Sequence, residues 1–193
     1  LGGGGDEPQI PNDEIWYTST DGNVVTPYKT NVFGANIVSN TYSDGKGVIK
    51  FDGNVTSIGE RAFKNCTGLT SITIPNSVTR IGDNAFDGCA GITSVTIPNS
   101  VTRIGWYVFS KCTGITSITI PNSVTRIGNW TFRNCKSLIS VKIETTTPPT
   151  DEQGYAIFEG CLSLTEILVP SASVDAYKVA TGFSTYADII KGF

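Results

Sequence analysis

Five thiols come at regular places: Cys66, Cys89, Cys112, Cys135 and Cys161. Thiols can ligate a metal, pair as disulfides or act as nucleophiles, and each role needs a partner. The chain contains no His, which removes the commonest general base, the Cys-His and Ser-His nucleophile pairs and the commonest metal ligand. Equivalent positions on adjacent strands lie ~4.8 Å apart and point the same way, whereas a bridge needs Cβ atoms near ~3.8 Å. The cysteine count is also odd. The spacing predicts a ladder of buried free thiols acting as small apolar filler, with no metal site. The carboxylates Glu60, Asp83, Asp87, Glu144, Asp151 and Glu152 scatter over the chain. No two sit together on a strand as a glycoside-cleaving pair would require, and no phosphate-binding loop occurs. The expectation is a protein without a catalytic centre, a cofactor or a metal.

Chemistry of recognition is better represented. Arg80, Arg103 and Arg126 recur at one interval. They read either as solvated stems covering apolar surface, eased by Asp83 and Asp87, or as a site for a carboxylate- or sulfate-bearing partner. Trp106, Tyr107 and Trp130 stand where the matching positions hold Glu60, Arg61, Asp83, Asn84 and Asn129. Tyr107 and Trp130 share a column, so their rings could stack. They are either a surface hot spot or packing against a local irregularity. With Arg103 and Arg126 they make the candidate ligand-binding set. A second candidate surface is the hydroxyl row Ser71, Thr73, Ser94, Thr96, Ser117 and Thr119, which is either ordinary strand solvation or a flat docking face.

These residues are positioned by a repeat of 23 residues: NVTSIGERAFKNCTGLTSITIPN from Asn54, then copies from Ser77, Ser100 and Ser123. A fixed period of this size means stacked copies of one small unit, none of which buries its own apolar face. Six parallel strands are predicted, with inward pairs Ile49/Phe51, Ile72/Ile74, Val95/Ile97, Ile118/Ile120, Val141/Ile143 and Ile167/Val169. The last is displaced by 26 because ETTTPPTDEQG carries an insertion. The columns Val78, Ile81, Phe86, Cys89 and Ile92 fill the rest of a rung. The Gly59, Gly82, Gly105, Gly128 and Gly154 column implies positive φ or close backbone approach.

Both ends of such a stack need covers. The predicted organisation is a flexible linker over 1–13, an N-terminal β cap over 14–47, repeats over 48–170 and a C-terminal cap over 171–193. Asp21-Gly22-Asn23 suggests a hairpin turn. Ser171 or Ser173 could cap a helix over 174–181, ended by Gly182. The chain has no Met and starts LGGGGDEPQIPND, so a removed N-terminal targeting segment and a tether are expected. A net charge of -3 offers no field for nucleic acid or an anionic membrane.

The pattern Ile-Gly-x-x-Ala-Phe-x-x-Cys-x-x-Leu-x-Ser-Ile-x-Ile-Pro, nearly complete at 58–75 and 81–98, resembles the BspA-like leucine-rich repeat family of bacterial surface proteins. The rung at 127–143 departs with Thr131 and Glu144, and the last rung with Gln153 and Ile157. The resemblance covers roughly 48–193. It implies a β-rich solenoid, a right-handed superhelix with a parallel sheet on its concave face, on the outside of a bacterial cell. The Gly-rich start resembles the tether of bacterial lipoproteins, so membrane contact is expected only through a removed lipid anchor. The implied function is non-enzymatic binding of a protein on a host or neighbouring cell. The alternatives are a glycan-binding module and a structural spacer.

Overall fold

The computed structural model describes residues 9–149 and 156–193. Asp151, Glu152, Gln153 and Gly154, named above, lie outside them, as does Thr150. The strands are β1 (Glu14–Ser19), β2 (Ile37–Ser43), β3 (Lys46–Phe51), β4 (Ser57–Ile58), β5 (Leu69–Thr73), β6 (Arg80–Ile81), β7 (Ser94–Thr96), β8 (Arg103–Ile104), β9 (Ser117–Ile120), β10 (Arg126–Ile127), β11 (Ser140–Ile143), β12 (Glu166–Val169) and β13 (Ile190–Gly192). A short helix α1 (Val174–Val179) lies between two 3-10 turns.

Each repeat supplies one longer strand and one two-residue strand, and both kinds stack in parallel register. Ser71 pairs with Ser94 and Thr73 with Thr96. Val141 sits between Ile118 and Ile167. The short strands align Ile58, Ile81, Ile104 and Ile127 in one row. The chain is thus a stack of repeats with two parallel ladders, as a leucine-rich-repeat solenoid has.

The interior is a spine of rings and thiols. Phe63, Phe86, Phe109, Phe132 and Phe158 stack with centroids 5.5, 5.4, 5.4 and 5.5 Å apart and planes within 14° of parallel. Beside them Cys89, Cys112, Cys135 and Cys161 each donate a thiol proton to the carbonyl of the Phe one rung earlier, at 2.9 to 3.2 Å. All five thiols are free. Burial pushes the Cys66 thiol up to about 11 and raises Cys89 and Cys112 further, so these groups are inert.

The glycine column works by close approach. A Cβ on Gly82 would lie 2.7 Å from the Glu60 nitrogen, and on Gly105 2.8 Å from the Asp83 nitrogen. Positive φ falls two residues later, on Arg61, Asn84, Tyr107 and Trp130.

Several expectations are corrected. β3, the expected first rung strand, does not neighbour β5. β1 lies between them, antiparallel to both, pairing Ile15 with Ile49 and Tyr17 with Ile72. The inward alternation of Ile49 and Phe51 was right, since both are buried. Spacing records which side chains face inward and is blind to which strand is adjacent. The hairpin turn is Asp44-Gly45, joining β2 to β3, and Asp21-Gly22-Asn23 joins no paired strands. Residues 10–13 are not free linker: Ile10 is buried, and the carbonyls of Asn12 and Asp13 accept from Val55 and Phe51 at 2.7 and 2.9 Å. Among the described residues the long-strand ladder pauses between β7 and β9. There β7 has three residues and Val95 is only half-buried. Helix α1 stops at Val179, and its N-cap residue Ser173 makes no side-chain cap hydrogen bond; the other expected cap, Ser171, donates its hydroxyl to the Phe193 carbonyl at 2.8 Å.

The two ends of the ring stack are closed edge-on. Phe33 meets Phe63 at 5.7 Å and 64°. Phe183 and Tyr186 meet Phe158 at 61° and 86°. β13 adds a further parallel strand on β12.

Candidate functional site

Since the inward positions are filled, a partner can only meet outward ones. Three outward groups stand out: an aromatic corner, an arginine row and a hydroxyl face.

The aromatic corner forms because the rungs are in register. The Tyr107 amide donates to the Asn129 carbonyl at 3.1 Å, and Phe109 to Thr131 at 2.8 Å. This alignment sets Tyr107 over Trp130, with ring centroids 5.1 Å apart and planes 17° from parallel. Both rings are half-buried. Both residues have φ of +55°, the left-handed region that bulky side chains rarely occupy. Asn84 holds the same conformation without that penalty. The Trp130 indole donates to Glu159 at 2.7 Å, and the same carboxylate pairs with Arg133 at 3.2 Å. Trp106 belongs to the same corner: its amide donates to the Asp83 carboxylate at 2.9 Å, and its ring lies against the backbone of Gly128. The corner thus combines half-exposed rings, a fixed stacking geometry and left-handed backbone.

Arg80, Arg103 and Arg126 lie side by side in β6, β8 and β10, in strict register, and all are exposed. The carboxylates expected to ease them are engaged elsewhere. Asp87 pairs with Lys64 at 3.3 Å, and Asp83 takes the Trp106 amide.

The hydroxyl face is longer than the sequence suggested. Ser71, Thr73 and Thr96 are half-buried, and Ser94, Ser117 and Thr119 exposed. At its N-terminal end Thr18 meets Ser71 and Thr70, each at 2.6 Å. There Trp16 continues the Thr73 row, with Lys46 3.9 Å above its ring. At the other end Lys142 pairs with Glu144 at 3.0 Å and lies 4.5 Å from the Phe193 ring centroid. Trp16 and Phe193 were missed. The alternation Ile15-Trp16-Tyr17 was the available signal for the first, and nothing in the sequence placed the second.

The pattern described as the BspA type leucine rich repeat region matches residues 36–165 in six copies. The chain belongs to the BspA-type leucine-rich-repeat family. No curated protein matches it. Among solved structures it is similar to a leucine rich cell surface protein from Faecalibacterium prausnitzii, at 29% identity and a TM-score of 0.54. That match covers 61% of this chain and 30% of the other, so the chain spans less than a third of it. It also shares its fold with a pneumococcal vaccine antigen, at 14% identity and a TM-score of 0.51, over 71% of this chain and 40% of that one. Among the described residues no helix is long and apolar enough to cross a membrane.

Proposed function

We propose that this BspA-type chain is a non-enzymatic binding module of a bacterial cell-surface protein, which takes a protein ligand on a host or neighbouring cell through Trp106, Tyr107 and Trp130. The observation that carries the reading is the stacked pair Tyr107–Trp130 held at positive φ. Neighbouring rungs meet the same backbone demand with Asn84 or Arg61, so the fold itself does not require rings there. Large rigid aromatics at half-exposed positions are the residues that dominate protein interfaces. The similarity to a cell-surface protein supports an extracellular location. In the same reading the stack is a right-handed superhelix with β1–β3 and α1 covering its ends, and a lipid anchor holds it outside the cell.

The test is capture from panels of extracellular host and bacterial proteins. The full chain is compared with the variant Trp106→Ser/Tyr107→Asn/Trp130→Asn. Capture of a defined protein that falls at least ~tenfold in the variant, with the fold retained, supports the reading. Equal capture by both proteins refutes the aromatic corner as the site.

A further inference from the structure

Of the fourteen Lys and Arg residues, seven pair with carboxylates among the described residues: Lys29, Lys50, Arg61, Lys64, Arg133, Lys142 and Lys191. Lys46 is spent on the Trp16 ring. Among the described residues Arg80, Arg103 and Arg126 make no ion pair, although they are the most regularly placed cations there. The ladder Arg80↔Arg103↔Arg126 runs along the stacking direction at strand spacing, ~4.8 Å per step. Like charges directly adjacent across strands destabilise a sheet. In a chain of net charge -3, carboxylates were available to relieve that repulsion and are placed elsewhere.

A second row flanks the first. Thr79, Thr102 and Thr125 are exposed, and each donates its hydroxyl proton to the threonine carbonyl of the rung before, at 3.5, 3.3 and 3.2 Å. With the proton used inward, the oxygen offers only acceptor capacity to a ligand. The surface therefore presents a line of guanidinium forks beside a line of hydroxyl acceptors. A complementary ligand is linear, carries tetrahedral oxyanions at short regular intervals and has hydroxyl donors between them.

We propose that the Arg80–Arg103–Arg126 row binds a linear sulfated polysaccharide lying along the stack. Each guanidinium forms charge-assisted hydrogen bonds with a sulfate, and ring hydroxyls donate to the threonine oxygens. This inference concerns a different set of side chains from the aromatic corner and does not depend on the protein-binding reading.

The test uses the full chain and heparin as the probe, with affinity measured at two salt concentrations. The variant R80Q/R103Q/R126Q is compared with K111Q/K136Q/K178Q, which removes the same charge elsewhere. Three exposed ion pairs together are expected to contribute about tenfold in affinity. The expected result is salt-sensitive heparin binding by the native chain, lost about tenfold in the arginine variant and retained in the lysine variant. Desulfated heparin and hyaluronan are expected to bind weakly. The arginine variant is expected to unfold no earlier than the native chain, because like-charge repulsion is relieved. If it fails to fold, R103Q against K111Q reads the same contrast. Absence of heparin binding by the native chain, equal losses in the two triple variants, or equal binding of hyaluronan would each overturn the proposal.

Discussion

Two aromatic stacks run through neighbouring positions of one rung, and their physics predicts opposite costs for losing them. Phe109 is fully buried, with Phe86 and Phe132 each 5.4 Å away in near-parallel planes. Tyr107, two residues earlier, stacks on Trp130 at 5.1 Å but is half-exposed and held at φ +55°. Truncating Phe109 to Ala leaves a ring-sized cavity, for which buried Phe residues lose ~3–5 kcal/mol. The two stacking contacts place it in the upper half of that range. Replacing Tyr107 with Asn loses one aromatic pair, ~0.5–1.5 kcal/mol, and about half of a buried side chain's transfer energy, ~1 kcal/mol. Against this, Asn tolerates the left-handed region and recovers ~1 kcal/mol of the 1–2 that such φ costs an ordinary residue. The net change is within ~1.5 kcal/mol. Urea denaturation of both variants, followed by circular dichroism, measures the contrast. The expected result is a large drop in midpoint for Phe109→Ala and a small shift for Tyr107→Asn. Comparable losses would refute the reasoning, because Tyr107 would then be core and its backbone strain immaterial.

Gly82→Ala sets a Cβ 2.7 Å from the Glu60 nitrogen, a backbone atom that cannot swing away. The variant should lose more than ~1 kcal/mol in thermal or urea unfolding, whereas a Cβ on Gly68 meets only the Thr20 hydroxyl at 3.8 Å, so Gly68→Ala should change little. The thiol ladder predicts alkaline sensitivity. Cys66 is raised from 9.0 to about 11, with Cys89 and Cys112 raised as well, chiefly by burial. The unfolded chain therefore gives up these protons first, so stability is fully present below about pH 9 and is lost as pH rises through the folded values. Unfolding temperatures measured under reducing conditions should fall above that pH, and Cys89→Ala/Cys112→Ala should flatten the fall. In the native chain at pH 8 an aromatic disulfide reagent should titrate the thiols only slowly, with half-buried Cys66 and Cys161 reacting ahead of Cys89 and Cys112.

The stack was legible because it is periodic. Phe86, Cys89, Ile92 and their copies announce an inward column whatever their neighbours do. The thiols are free as expected, but for another reason than strand spacing: the cysteines lie in the turns before the longer strands, not on them. The order of strands at the N-terminal end was not legible, because β1 holds the place expected for β3 and an inward Ile looks the same in either. The left-handed positions were half legible. Asn65, Gly88, Lys111, Asn134 and Gly160 form one column at positive φ, and all but Lys111 are residue types suited to it, a signal available and unread. The other column, Arg61, Asn84, Tyr107 and Trp130, gave no such sign, because two of its members are among the worst types for that backbone. This is also why the aromatic corner could be singled out from the register without its strain being foreseen. The arginine row was visible as a column, but its lack of partners depended on where Asp83 and Asp87 turn, which no spacing encodes.

Diffraction from crystals of the chain tests the stacking of successive rungs most directly, through the positions of five rings. The account predicts that Phe63, Phe86, Phe109, Phe132 and Phe158 form one file with centroids about 5.5 Å apart and that the neighbouring sulfurs are unbridged. Rings dispersed through a rounded core, or sulfurs joined in pairs, would contradict it.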